Sequence, residues 1–324
     1  YAVMEVSSHA LVLKRTYGIH FAAAVFTNLS RDHFDFHRDF EDYFSAKKIL
    51  FDQIDRNARR GIVNLDDPYG KRLAAELGSA AVTFGRSEEA QIRPGDGFVV
   101  DVSGLHGVVL TPQGPIEIAS PLLGEPNLYN WMGAIGAALS IGIGPTVIQR
   151  GIRNLRSVRG RFERVGEGKP AVIVDYAHKP DALEKLLNAV RALAGGRKVT
   201  LLIGCGGDRD KGKRPEMGAI AARLADFTVL TSDNPRSERP EQILDEMERG
   251  VREVPSARYT RVTDRRQAIE QAVSAADDED VIVIAGKGHE TYQVVGDQIL
   301  HFDDREEVEA ALRKRAEKTT VNLK

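Results

Sequence analysis

Val199-Thr200-Leu201-Leu202-Ile203-Gly204-Cys205-Gly206-Gly207-Asp208-Arg209-Asp210-Lys211-Gly212-Lys213-Arg214-Pro215 decides how the rest of the chain is read. Its first five residues are apolar or β-branched and form a buried strand; the next nine are glycine-rich and basic, and a helix around Met217 to Leu224 follows. A strand that passes through such a loop into a helix is the repeating unit of a parallel α/β sheet. The glycines let a ligand approach the backbone, and the cationic side chains with the helix N-terminus suit a carboxylate or phosphate. The Gly-x-x-x-x-Gly-Lys-Ser/Thr order of a nucleotide P-loop is absent. A plain surface turn is the competing reading of this loop.

The same rhythm runs outward in both directions. Downstream, strands are expected at Phe227 to Leu230, Tyr259 to Val262 and Val281 to Ala285, with helices at Pro240 to Gly250, up to Ala275, and from Arg305 to Arg315. Upstream, Ala171 to Asp175 is a strand and Asp181 to Leu193 a helix that Asp181 is placed to cap. This part reads as an open sheet covered on both faces, with ligands at the carboxyl ends of its strands. A boundary near Ser157 to Arg161 separates it from an earlier α/β segment. There, Tyr1 to Val6, Ala22 to Thr27, Gly61 to Leu65 and Ala80 to Phe84 read as strands, and Phe40 to Ile54, Tyr69 to Leu77 and Asn127 to Ile141 as helices. Between Ile92 and Ala119 glycine-punctuated strand signals predict a small antiparallel excursion. Two domains are expected, 1–157 and 158–324.

Composition narrows the function classes. Lys and Arg total 45 against 47 for Asp and Glu, a net charge of −2, so there is no global pull on nucleic acid or an anionic membrane. With Cys205 alone no intrachain disulfide forms, and a small core or loop position is its expected place. The absence of an apolar run of about 18 residues and of a secretory leader points to a cytoplasmic protein with no membrane anchor. The chain opens without Met and almost at once enters a strand-like run, so a preceding segment is expected.

Candidate chemistry gathers at strand ends. Glu5, followed by Ser7, Ser8 and His9, and the run Thr27-Asn28-Leu29-Ser30-Arg31-Asp32-His33 are expected at one sheet edge, where a carboxylate and an imidazole suit a divalent cation beside phosphate. Ordinary capping by the Ser, Asn and Asp residues competes with that reading. Lys47 lies within an apolar helical stripe of Phe40, Tyr43, Phe44, Leu50, Phe51 and Ile54, so it snorkels, pairs with an acid, or is chemically changed. Thr231-Ser232-Asp233-Asn234-Pro235-Arg236 and Ala285-Gly286-Lys287-Gly288-His289-Glu290 leave further strands toward the loop at Gly204. Arg236 can grip a carboxylate, Asp233 and Glu290 an ammonium, so the implied ligand is zwitterionic. Asp175 and His178 follow another buried strand and are candidates for nucleotide contact.

Met4-Glu5-Val6-Ser7-Ser8-His9, the Thr27 to His33 run, Val174-Asp175-Tyr176-Ala177-His178 and the loops starting at Gly204, Ser232 and Gly286 together resemble the Mur ligase family, along nearly the whole chain. The resemblance implies a central ATPase domain lacking its N-terminal part, followed by a Rossmann-like C-terminal domain. It also implies an ATP-dependent amide ligase of peptidoglycan precursor synthesis. It implies Mg²⁺ at Glu5, His33 and Lys47, the last carbamylated by carbon dioxide and, with Arg161, catalytic. ATP would meet Asn127, Arg161 and Asp175, and the UDP-N-acetylmuramoyl-L-alanyl-D-glutamate substrate would meet Ser7 and Arg15. Arg209, Asp233, Asn234, Pro235, Arg236, Gly286 and Glu290 would hold the added amino acid. The Asp-Asn-Pro-Arg form resembles members that add meso-2,6-diaminopimelate. A ligase adding lysine or another amino acid, and a non-catalytic amino-acid-binding protein, are the alternatives. The family's glycine-rich phosphate loop and uridine-binding domain do not occur in the sequence, so the polypeptide as it stands is not expected to run the whole reaction.

Overall fold

A computed structural model describes residues 1–30, 36–54, 61–166 and 168–322, with side chains as far as 318. Two compact units emerge: 1–99 with 105–120 and 125–155, and 100–104 with 121–124 and 156–324.

In the first unit, β1 (Ala24–Phe26), β2 (Gly61–Asn64) and β3 (Ala81–Phe84) form a parallel sheet in that order. A short helix α1 (Ser8–Val12) precedes it, and α2 (Phe40–Asp52) and α3 (Pro68–Leu77) are its crossovers. Asp39 starts α2 by accepting from the Asp42 N–H, and Asp67 starts α3 by accepting from Tyr69 and Gly70. Phe26, Phe44, Phe51, Val63 and Leu73 close the core between sheet and crossovers. The small strands β4 (Arg93–Pro94), β5 (Val99–Asp101), β6 (Gly104–Leu110) and β7 (Ile116–Ser120) form the expected excursion, β6 pairing antiparallel with β4 and β7. Helices α4 (Glu125–Ser140) and α5 (Pro145–Asn154) complete this part of the chain.

One expectation fails here. Tyr1 to Val6 is not a strand: the run is irregular, and its first five residues are exposed. Apolar alternation supplies only a face, whereas a strand also needs a neighbour for its N–H and C=O groups, and none of the described strands pairs with this run.

The second unit is a six-stranded sheet, β12-β11-β10-β13-β9-β8. Its strands are β8 (Glu163–Val165), β9 (Ala171–Asp175), β10 (Val199–Ile203), β11 (Phe227–Leu230), β12 (Tyr259–Arg261) and β13 (Val281–Ala285). All run parallel except β8, antiparallel at the edge beside β9. Alternate residues point to opposite faces. Ile173, Leu201, Ile203 and Val283 pack on one side with α6 (Pro180–Ala194), α7 (Lys213–Leu224) and α8 (Pro240–Arg252). Val172, Val174, Leu202 and Ile284 pack on the other with α9 (Arg265–Ala275) and α10 (Asp304–Asn322).

The chain steps outward from β10 to β12 and returns to insert β13 between β10 and β9. The strand order therefore reverses beside β13, and the crevice for ligands opens at the carboxyl ends of these strands. Cys205 is buried, which pushes its thiol up to about 12. Asp181 does not cap α6: Lys179 stands at that position, and Asp181, inside the first turn, pairs with Lys185 at 2.8 Å. A hairpin of β14 (Tyr292–Val295) and β15 (Gln298–His301) after β13 was not anticipated. Among the described residues no helix is long and apolar enough to cross a membrane.

Candidate functional site

The loops leaving β10, β11 and β13 are braced against one another. Gly207 N–H donates to the Asn234 carbonyl at 2.8 Å, and a Cβ at Gly207 would stand 1.9 Å from the Pro235 carbonyl oxygen, so only glycine admits this approach. Buried Arg214 reaches Glu238 at 2.9 Å and Glu246 at 2.8 Å while also donating to the Gly206 carbonyl at 3.0 Å. Asp208 N–H donates to Glu238, and the Asp208 carboxylate accepts from Ser237. The hydrogen bond from Arg214 holds the Glu238 carboxyl down at about 2.

Arg236 occupies the left-handed region at φ 51°, unusual for a residue with a side chain. The hairpin holds it there: Arg236 N–H donates to Val294 O at 3.0 Å, and Gly296 N–H donates to Arg236 O at 2.7 Å. Its guanidinium donates to the Gly207 carbonyl at 2.8 Å. A Cβ at Gly206 would lie 2.9 Å from Arg236 Nη1 and 3.7 Å from Arg209 Cγ, so both arginines flank one glycine.

Beside them sits a charged cluster centred on Lys287, whose side chain is 0% exposed. Lys287 Nζ lies 3.5 Å from Asp233 Oδ1, 3.3 Å from Glu290 Oε2 and 3.3 Å from Asn234 Oδ1. Asn234 donates to Glu290 at 2.9 Å and accepts from Val294 N–H at 3.0 Å. The two acids expected to grip an ammonium thus already face one from within the protein. A Cβ at Gly286 would lie 3.6 Å from Asp233 Oδ2, which places that glycine at the same cluster. Below it, fully buried Arg265 makes a two-pronged pair with Asp304, both bonds 2.7 Å, and donates to the carbonyls of Ser232 and Ala285. Neither Lys287 nor Arg265 carried a role in the sequence reading. A lysine between two glycines and ahead of an acid was the one available signal for Lys287.

Arg161, Asp175 and His178 gather next to this cluster. Arg161 stacks on the Tyr176 ring at 4.8 Å, and Tyr176 meets His178 and His289 at 4.5 and 4.9 Å. Asp175 accepts from the N–H groups of Phe162 and Ala177, both at 2.8 Å, yet burial raises its carboxyl above the ordinary value. Gly160, at φ 64°, would bring a Cβ to 2.1 Å from His289 N, which shows how closely the Arg161 loop lies against the β13 exit.

In the first unit, Ser7 caps α1 by accepting from Ala10 N–H at 3.2 Å, the capping role that competed with a binding one. Glu5 and Arg15 are exposed, and no strand leads into Glu5, so the shared sheet edge expected for it is not seen. His33 lies outside the described residues. Lys47 is half-buried with Nζ 5.1 Å from the centre of the Tyr43 ring, whereas Lys48 turns away to pair with Glu76. His37, buried and not singled out from sequence, contacts Ser8 Oγ at 2.8 Å and stacks on Tyr43. Asn127 lies in the first turn of α4 and accepts from Asn130 at 3.1 Å. Among the described residues no group of three or more His, Cys, Asp or Glu could hold a metal ion.

Two family models account for most of the chain: the Mur ligase middle domain matches residues 1–138, and the Mur ligase glutamate ligase domain matches 160–288. The chain belongs to the Mur ligase family. Among its relatives, the UDP-N-acetylmuramoyl-L-alanyl-D-glutamate--2,6-diaminopimelate ligase of Gloeobacter violaceus is 50% identical over 317 residues, which are 97% of this chain and 64% of that protein. The ligase of the same name from Thermosynechococcus vestitus is 47% identical over 319 residues, 97% of this chain and 63% of the relative. A solved ligase of that name superimposes with a TM-score of 0.70 at 34% identity, over 96% of this chain and 64% of that one. The Mur ligase fold extends to Escherichia coli FolC, with a TM-score of 0.59 at 21% identity over 92% of this chain and 64% of that one. The chain spans somewhat under two thirds of the length of the first two relatives.

Proposed function

We propose that the full-length protein is an ATP-dependent amide ligase that adds meso-2,6-diaminopimelate to UDP-N-acetylmuramoyl-L-alanyl-D-glutamate in peptidoglycan precursor synthesis. The observation that carries this reading is that the carboxyl ends of β10, β11 and β13 bring two arginines, which flank Gly206, and two acids, which face Lys287, to one crevice. Diaminopimelate carries a carboxylate and an amine at each end, and a site offering both signs of charge complements it.

In this reading the terminal carboxylate of the UDP-linked peptide attacks the γ-phosphorus of ATP. The bond to the β–γ bridging oxygen breaks, and ADP leaves an acyl phosphate behind. The neutral amine of diaminopimelate attacks the acyl carbon, phosphate departs, the nitrogen loses its proton and the amide remains. No protein nucleophile is needed; the residues hold mutually repelling anions in register. Ser7 and Arg15 would hold the UDP-peptide, and Asn127, Arg161 and Asp175 the nucleotide, with Arg161 adding positive charge near the transferred group. Arg209, Asp233, Asn234, Pro235, Arg236, Gly286 and Glu290 would hold the incoming amino acid.

Magnesium, when bound, neutralises phosphate charge. Glu5, His33 and Lys47 would hold it once Lys47 carries a carbamate, two hard-oxygen donors of the kind that cation prefers beside one imidazole nitrogen. The half-buried setting of Lys47 over an aromatic ring supports the modification, since a carbamate exchanges a cation within an apolar stripe for an anion that a metal can neutralise.

The test supplies full-length protein with ATP, UDP-N-acetylmuramoyl-L-alanyl-D-glutamate and a panel of amino acids, following phosphate release and ligated product. Diaminopimelate is expected to be preferred. Preference for lysine would overturn the substrate assignment, and diaminopimelate binding without substrate-dependent ATP cleavage would overturn the ligase.

A further inference from the structure

We propose that Lys287 is a positioning residue that sets which amino acid the site accepts, by holding Asp233 and Glu290 apart as a fixed pair of anions and by fixing the charge of the site. The inference rests on the ligase reading above and deepens it.

Lys287 is fully buried, which a lysine tolerates only when its ammonium is surrounded by partners. Those partners come from separate segments: Asp233 and Asn234 from the β11 exit, Glu290 from the β13 exit, and Tyr292 of the hairpin, whose ring centre lies 5.6 Å from Nζ. The ammonium is therefore the joint at which the walls of the amino-acid site meet. Its reach to Asp233 Oδ1 is 3.5 Å, and that oxygen is buried with no hydrogen-bond partner among the described residues. A buried carboxylate oxygen left in that state is equipped to accept from a ligand ammonium, while Lys287 holds the carboxylate in place.

Charge counting gives the same result. Arg209, Arg236 and Lys287 oppose Asp233 and Glu290, which leaves the site one unit positive. Diaminopimelate with its reacting amine neutral carries two carboxylates and one ammonium, one unit negative. Lysine in the same state is neutral. Without Lys287 the site would be neutral as well, with two close carboxylates repelling each other and no cation between them. The loss should fall on diaminopimelate more than on lysine.

The experiment compares full-length wild type with Lys287→Ala and Lys287→Met in steady-state ligation. For both variants KM for diaminopimelate should rise at least 30-fold, KM for ATP and for the UDP-linked dipeptide should stay within twofold, and preference for diaminopimelate over lysine should fall at least tenfold. In Lys287→Ala, n-propylamine should restore KM for diaminopimelate to within threefold of wild type. The alcohol n-propanol should not, and neither compound should help Lys287→Met, whose side chain fills the slot. A parallel rise in all three KM values, unchanged selectivity, or no response to n-propylamine would make Lys287 a merely structural lysine and overturn the proposal. Failure of both variants to fold, read by circular dichroism, would do the same. A wild-type protein that ligates no amino acid would remove the ligase reading itself, whereas an active wild type with unaffected variants would remove this inference alone.

Discussion

Asp304→Ala would leave the Arg265 guanidinium buried without its counterion. Both side chains are 0% exposed, and the pair shares two bonds of 2.7 Å. Removing one partner of such a pair typically costs about 3–5 kcal/mol, because the remaining charge stays desolvated. Arg265→Met should be equally severe. It strands the carboxylate and also removes the donors to the Ser232 and Ala285 carbonyls, where an orphaned buried acceptor costs about 1–3 kcal/mol. Replacing both residues, as Arg265→Met with Asp304→Leu, removes the desolvated pair together. That change alone is near neutral or favourable by about 1–4 kcal/mol, so the double variant should be less damaged than either single one. Hydrogen exchange of the Val281–Ala285 amides in full-length protein reads the opening free energy of the central strand locally, which suits a chain of two units that need not unfold together. A cost below about 1 kcal/mol for Asp304→Ala, or single effects that simply add in the double variant, would refute the coupling.

The acid side of the stability profile should depend on Glu238. Arg214 depresses its carboxyl from 4.5 to about 2, so its contribution is complete above the ordinary value and is lost as pH falls toward about 2. In Glu238→Gln, thermal melts across that window should lose their pH slope, and an unchanged slope would assign the acid sensitivity elsewhere. Gly207→Ala would press a methyl group against the Pro235 carbonyl and part the two loops. KM for diaminopimelate should rise about tenfold or more with ATP affinity retained, and equal affinities for wild type and variant would count against the bracing role. Lys47→Ala should sharply reduce turnover, and removal of bicarbonate should slow the wild type but not the variant. Activity indifferent to both changes would exclude a carbamate.

The second unit was legible because its strands are short, strongly apolar and bounded by glycine or acid. The expected limits of β9, β10, β11 and β13 coincide with the observed ones. Burial on both faces leaves little else for such runs to be. The β14–β15 hairpin escaped notice because its strands are partly or wholly exposed and carry no clean alternation, although Gly296-Asp297 is a turn signal. Tyr1 to Val6 failed in the opposite way: the alternation is present and the neighbouring strand is not. That Asp233 and Glu290 leave neighbouring strands toward one place was readable from charges at strand exits. Lys287 and Arg265 were not, since their roles rest on which carbonyls and carboxylates surround them in space, and sequence separations of 53 and 39 residues hide those partners.

Arg236 stands in a backbone conformation that glycine or asparagine would adopt with less strain, and the hairpin that imposes this shape does so through main-chain bonds indifferent to the side chain. Exchanging the guanidinium for a small neutral group would therefore relax the local chain while erasing a charge from the crevice. A smaller residue would thus gain local ease and forfeit one tie between neighbouring loops, because the same guanidinium fastens the β11 exit to the Gly207 carbonyl.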